Sequence, residues 1–278
     1  MPVTAAPANT TGHVTRHRVE PLGRRILTVV RCEDVTPRYR RIVLSGPGLD
    51  GFSFVRFACT DHVKVVLPDP SSGEVALPVP TPQGPRLPDG SRPVMRDYTV
   101  RAWDAHAGEL TLDFVIHEHG PAGRWAAQAT AGDRIGVLGP RGHVLLPQGY
   151  PTYLAVGDAT ALPAVARVVE ELPDGARATA IIEVANADEE QPLTARDGVE
   201  VIWVHQAPGA LDAAVRAWTP PDGTDWFAVA AGEAGAMTAV RRYLRHEVGL
   251  PKQQVAADGY WKRGVAGLDH HAVTVGDD

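Results

Sequence analysis

Three neighbouring side chains, Arg96, Tyr98 and Thr99, suit a ligand that carries both a phosphate and a planar ring. An arginine fork binds phosphate through paired hydrogen bonds. Tyrosine stacks on a ring or meets its edge, and a threonine hydroxyl bonds to a ring heteroatom. The same run, Arg96-Asp97-Tyr98-Thr99-Val100-Arg101, equally suits an ordinary exposed hairpin with a charged rim. Two further stretches, Gly157-Asp158-Ala159-Thr160 and Gly232-Glu233-Ala234-Gly235, lie where an apolar strand pattern hands over to a helical one. Glycine lets a ligand approach the backbone, and a helix start favours a pyrophosphate. Neither stretch has the GxGxxG fingerprint of a dinucleotide dehydrogenase. The competing reading is that Thr160 caps a helix and the glycines only make turns.

The elements that must hold these residues change rhythm part-way along the chain. Residues 1–18 are rich in Thr, Ala and Pro and are expected to form a disordered leader. Strand patterns follow at Ile26–Arg31, Tyr39–Ser45 and His62–Pro68, with a polar break at Glu33–Pro37. Residues 69–95 are Pro-rich and read as a long loop. Arg96–Arg101, a polar turn, and Leu110–His117 read as a hairpin. Pro121 after Gly120 predicts a short helix, whose start is a natural anion site. Gly132–Gly142 adds a strand and a turn. About six short strands and one helix predict a small antiparallel β-barrel over residues 19–149.

From Tyr153 the apolar strands become unbroken and alternate with helices. Strands are expected at Tyr153–Val156, Ala178–Val184, Val199–Val204, Trp226–Ala231 and Val255–Ala257. Helices are expected at Ala164–Leu172, Leu211–Trp218 and Ala234–Val248. This predicts an α/β domain over residues 150–264, with a parallel sheet covered on both faces. Ligands bind beyond the carboxyl ends of such strands. Residues 265–278 read as a polar tail.

Composition narrows the function. The chain has 278 residues, 44% hydrophobic and 22% charged, with a net charge of −6. That is globular and acidic, which argues against nucleic-acid binding. No apolar run is long enough to span a membrane, and the N-terminus lacks a secretory pattern. Cys32 and Cys59 read as free thiols in a reducing cytoplasm. Two cysteines are too few for an iron–sulfur cluster.

Barrel first, α/β domain second, and Arg96-x-Tyr98-Thr99 in the barrel: this order resembles the ferredoxin–NADP reductase-like flavoproteins. More closely, the chain resembles the siderophore-interacting proteins, FAD-dependent ferric-siderophore reductases. The matching stretches are Asp61–Lys64, Arg96–Arg101, Asp113–His117, Gly120–Ala126, Gly139–Gly142, Gly157–Pro163, Ala231–Ala236 and Gly259–Gly264.

The resemblance implies that Arg96, Asp97, Tyr98 and Thr99 hold FAD, with Thr99 near the N5 edge. It places Val115 and His117 beside the ring systems. Gly120, Ala122, Gly123, Arg124 and Trp125 lie in the segment that takes the pyrophosphate. Asp158, Thr160, Ala161, Gly232, Glu233 and Ala234 face the nicotinamide of NADH or NADPH, with ferredoxin as the alternative donor. Lys64, Lys262 and Arg263 match the basic pocket for an anionic ferric siderophore, with a surface cation as the plainer reading of each.

No residue is assigned a covalent catalytic role, and no resident metal is expected, because the siderophore keeps its iron. The pairs His117-x-His119 and His270-His271 lack further ligands. The acidic run Asn186–Glu190 opposes a 2′-phosphate and favours NADH, while Arg241, Arg242 and Arg245 could offset it. The protein is expected to be a cytoplasmic monomer. A general flavin reductase or electron-transfer module, and a non-redox siderophore binder, stay open as alternatives.

Overall fold

The computed structural model describes residues 9–117, 120–193 and 196–265. Two compact units emerge among them. The first contains residues 16–55 and 60–143, and the second contains residues 9–15, 56–59 and 144–265. The polar tail falls almost wholly outside the described residues.

The first unit is built on a closed six-stranded barrel. Its strands are β2 (Arg24–Thr36), β3 (Tyr39–Ser45), β4 (His62–Val66), β5 (Met95–Asp104), β6 (Glu109–Val115) and β7 (Arg134–Leu138), in the order β2-β3-β6-β5-β4-β7. Alternating apolar residues point inward: Leu27, Ile42, Leu44, Val63, Val65, Leu110, Leu112, Phe114, Ile135 and Val137 are buried in one cluster. Two differences from the expected strands are instructive. β2 runs through the polar break as far as Thr36, because Pro37, which cannot donate to the ladder, is what ends it. β5 continues through Trp103 and Asp104, so the turn is confined to residues 105–108. A bulge between Val100 and Ala102 shifts the β5–β6 register.

Residues 9–18 correct the expectation of a disordered leader. β1 (Thr15–Arg18) pairs with β8 (Gly142–Leu145). The Asn9 amide donates to the carbonyls of His13 and Leu145 at 2.9 and 3.0 Å. Local composition missed this order because the pairing strand β8 and Leu145 lie more than a hundred residues away.

The second unit carries a five-stranded parallel sheet of order β11-β10-β9-β12-β13. The strands are β9 (Thr152–Asp158), β10 (Arg177–Val184), β11 (Val199–His205), β12 (Phe227–Glu233) and β13 (Val255–Trp261). The helices are α2 (Leu162–Glu170), α3 (Ala210–Ala217) and α4 (Ala234–Arg242). α2 starts two residues before the expected Ala164, since proline is welcome in a first turn. α4 passes into a π-helical turn at Tyr243–Glu247, and β13 extends four residues beyond Ala257. Arg167 of α2 is 1% exposed and donates from Nε to Glu171 at 2.7 Å. Its Nη1 bonds to the Ala58 carbonyl at 2.9 Å, and Glu171 accepts from the Phe57 amide. This buried pair holds residues 56–59 to the second unit.

Candidate functional site

In the β4–β5 ladder, antiparallel register puts His62 opposite Thr99, Lys64 opposite Asp97, Val63 opposite Tyr98 and Val65 opposite Arg96. Directly opposed residues share a face. Val63 and Val65 belong to the barrel core, so Arg96 and Tyr98 lie on the inward side. Lys64, Asp97, His62 and Thr99 share the other side. Lys64 Nζ donates to both carboxylate oxygens of Asp97, at 2.8 and 2.7 Å. Thus Asp97 has a cation to hold, and Lys64 lies one diagonal step from Thr99. Arg96 is half-buried and spends one Nη1 donor on the Met95 carbonyl at 2.7 Å. Its Nε and Nη2 make no hydrogen bond among the described residues. The Tyr98 ring packs against Phe114, with centroids 4.1 Å apart, and burial pushes its phenol pKa well up. It therefore stays neutral across the physiological range.

Phe114 in turn meets Trp125 of α1 (Pro121–Gln128), with centroids 5.7 Å apart. The Tyr98–Phe114–Trp125 series ties the strand to the helix. Gly120 is the N-cap residue, and its amide donates to His117 Nδ1 at 3.1 Å. A Cβ on Gly120 would lie 2.3 Å from the His117 ring, and one on Gly123 would lie 2.8 Å from the His117 carbonyl. These glycines are therefore required for His117 to fold over the helix start. The Gly120 amide is already used, while the Ala122 and Gly123 backbone sits buried beneath. Arg124 is exposed, and Val115 lies at the end of β6 opposite Tyr39.

In the second unit, Asp158 ends β9 and gathers the carboxyl ends of three strands. Its Oδ1 accepts from the Thr160 amide at 2.8 Å and the Thr160 hydroxyl at 2.6 Å. Its Oδ2 accepts from the Glu233 amide at 2.9 Å and the Trp261 indole at 2.7 Å. Thr160 is thus not a helix cap; Ala161 holds that position without a side-chain bond. Burial raises the Asp158 pKa, and the hydrogen bonds from Thr160, Trp261 and Glu233 pull partly back. Glu233 caps α4 by accepting from the Ala236 amide at 2.9 Å, and it also accepts from the Arg263 amide at 3.3 Å. Gly232 has φ of 146°, and a Cβ there would lie 2.6 Å from Asp158 Oδ2. Ala234 packs where a Cβ on Gly259 would strike it.

Comparison with known proteins decides what this pairing of strand and turn belongs to. The siderophore-interacting FAD-binding domain family matches residues 28–144, and the siderophore-interacting protein family matches residues 150–264. The ferric vibriobactin reductase of Vibrio cholerae is 32% identical over 254 residues, covering 89% of this chain and 93% of that protein. The NADPH-dependent ferric-chelate reductase of Escherichia coli is 36% identical over 240 residues, covering 85% and 92%. A siderophore utilization protein from T. fusca has a solved structure that matches with a TM-score of 0.84 at 44% identity. It covers 93% of this chain and 100% of that one. The chain belongs to the siderophore-interacting protein family. The barrel followed by a parallel sheet is the ferredoxin–NADP reductase-like two-domain fold. Membership makes this protein an NAD(P)H-dependent oxidoreductase with an FAD-binding domain.

The cations of this siderophore-interacting protein are divided between the units. Lys64 lies in the first, while Lys262 and Arg263 lie in the second. Lys262 and Arg263 are exposed in a tight turn, closed by the Val265 amide on the Lys262 carbonyl at 3.0 Å, with Gly264 at φ of 78°. Sequence reasoning missed Trp261, whose indole joins this turn to Asp158. It also missed Glu183, which lies opposite Asp158 in the β9–β10 register. Burial and the Asp158 charge raise the Glu183 pKa. The sequence pattern Gly-Tyr-Trp-Lys-Arg-Gly at residues 259–264 held the signal for Trp261. The segment after β10 forms a 3-10 turn at Ala187–Glu189, capped by Asn186, and Glu190 bonds to His205 at 2.8 Å. Among the described residues no group of three His, Cys, Asp or Glu could hold a metal. His119, His270 and His271 lie outside them. No helix among the described residues is long and apolar enough to cross a membrane.

Proposed function

We propose that this protein reduces ferric siderophores with electrons from NADH or NADPH, through FAD held in the barrel unit, so that iron is released in the cytoplasm. The residues present fit the cofactor. Arg96 offers open guanidinium donors for a phosphate, and Thr99 a hydroxyl on the opposite face of the same strand. The glycines at 120 and 123 leave a helix start that no larger residue could occupy. Bound FAD accepts a hydride and gives up electrons singly, as one-electron reduction of Fe(III) requires. The chain's own residues then bind and orient. Arg96 anchors the phosphate and Tyr98 and Trp125 supply apolar surface, while the segment from Gly120 to Arg124 closes the pyrophosphate end. Asp158, Thr160, Ala161, Gly232, Glu233 and Ala234 shape the nicotinamide side, residues 150–264 forming that domain and 19–149 the FAD domain.

The observation that carries the substrate reading is the shared face of Lys64 and Thr99. A cation one diagonal step from the proposed flavin contact suits an anionic ferric chelate despite the acidic whole. Lys262 and Arg263 are the proposed substrate cations of the second unit. A general flavin reductase is the second reading, favoured by one fact: Asp97 already neutralises much of Lys64. An anaerobic assay with NADH or NADPH, FAD, a ferric siderophore and a ferrous trap tests the first reading. Yellow protein that forms the ferrous complex supports it; colourless protein that takes up no FAD refutes it. If Lys64→Ala and Lys262→Ala impair dye reduction as much as siderophore reduction, the general reductase reading wins. The same assay ranks NADH, NADPH and reduced ferredoxin as donors.

A further inference from the structure

Three residues that the flavin reading does not use meet within the barrel unit. Ser53 Oγ lies 2.6 Å from His143 Nε2, and His143 Nδ1 is paired with Asp61 Oδ2. They are 90 and 82 positions apart in sequence. His143, on β8, is 7% exposed, and Asp61, just before β4, is 5% exposed. Ser53, in the irregular stretch between β3 and β4, is half-buried and is the most exposed of the three. The network assigns the tautomer: Nδ1–H donates to Asp61, which leaves the Nε2 lone pair facing the Ser53 hydroxyl. Two supports hold the pair. The Asp61 carbonyl accepts from the Val100 amide at 2.9 Å. On β8, Gly142 lies so close to the His17 carbonyl that a Cβ there would sit 2.6 Å from it.

We infer that Ser53 is a nucleophile activated by His143 as general base, with Asp61 orienting the imidazole, and that it takes up acyl or phosphonyl groups from activated donors. The order nucleophile, base, orienting carboxylate is what such activation requires. With a fluorophosphonate the step balances as follows. The Ser53 Oγ–P bond forms, the Oγ–H proton passes to His143 Nε2, and the P–F bond breaks to release fluoride. The imidazolium then gives its proton to water. This inference is independent of the flavin reading, since none of the three residues is placed against the cofactor.

The test incubates the full FAD-loaded chain with an alkyl fluorophosphonate and follows the adduct by peptide mass spectrometry. The adduct is expected on Ser53 and to vanish in Ser53→Ala. His143→Gln keeps hydrogen-bonding groups but cannot take the proton, so labelling should fall at least about 100-fold. Flavin absorbance, retained in that variant, reports that the fold is intact. Asp61→Asn should slow labelling to a lesser degree. The inference is overturned if Ser53 reacts no faster than in heat-unfolded chain, if Ser53→Ala keeps the label, or if folded His143→Gln labels like wild type. Ferric reduction in Ser53→Ala is expected to match wild type.

Discussion

Asp158→Asn tests how the second unit is tied together. The variant keeps the shape and one acceptor oxygen where the carboxylate serves four donors. The cheaper orientation keeps the oxygen on the Glu233 amide and the Trp261 indole. The Thr160 hydroxyl can then rotate and accept from the new amide, but the Thr160 backbone N–H faces an –NH2 and loses its partner. One buried donor without a partner costs about 1–3 kcal/mol. A pH term is superimposed. Burial raises the folded pKa of Asp158, so between the ordinary carboxylate value and that raised value the folded chain binds more protons than the unfolded chain. Stability from this group is therefore present in acid and lost as pH rises through the folded pKa. Asparagine lacks that slope, so the gap to wild type should widen as pH falls from 7 towards 4.5. Urea unfolding followed by tryptophan fluorescence at both ends of that range measures it. An unchanged midpoint at every pH, or a gap that widens with rising pH, would refute the reasoning. Asp158→Ala leaves at least two backbone N–H groups without partners and should cost roughly twice as much.

Other perturbations probe the remaining parts. Arg96→Gln removes a charged fork worth about 1.5–3 kcal/mol, so the FAD dissociation constant, read by flavin fluorescence, should rise about 10-fold or more. Lys64→Ala should raise KM for ferric siderophore, while a double-mutant cycle with Asp97→Asn should show no more than about 1 kcal/mol of coupling in stability, because the pair is partly exposed. Arg167→Met leaves the Glu171 carboxylate buried without its partner and should destabilise the protein by about 3–5 kcal/mol in denaturant titration.

Periodicity made much of this molecule readable. Alternation on Ile26–Arg31 and Tyr39–Ser45 marked barrel strands, and unbroken apolar runs such as Tyr153–Val156 marked the parallel sheet. Glycines where strands meet helices marked Gly157 and Gly232. What stayed hidden depends on contacts across long separations, which no local window contains. Asn9 reaches Leu145, Arg167 reaches Ala58, and Ser53 and Asp61 converge on His143. Trp261 lies four residues beyond the expected strand Val255–Ala257, and only the longer β13, paired with β12, brings its indole to Asp158. The bulge after Val100 was equally out of reach, since a register shift arises from pairing and not from either strand alone.

Register also links the folding of the barrel to the charge beside the proposed flavin contact. Val63 and Val65 are buried, and strict alternation then sends Lys64 to the face that carries Asp97 and Thr99. A slip of one residue in β4 would drive Lys64 into the core and bring two valines out. Burying an ammonium without a partner costs far more than two valines gain from burial. The hydrophobic pattern that closes the barrel therefore leaves only one register for β4. That register is the one that sets a cation diagonal to the Thr99 hydroxyl. Asp97 lowers the cost of keeping the cation there when no anionic substrate is present, and an anionic substrate must compete with Asp97 for it. In the proposed reaction Lys64 would thereby be a selective contact: a chelate with strong negative charge would displace the carboxylate, and one with weak negative charge would not.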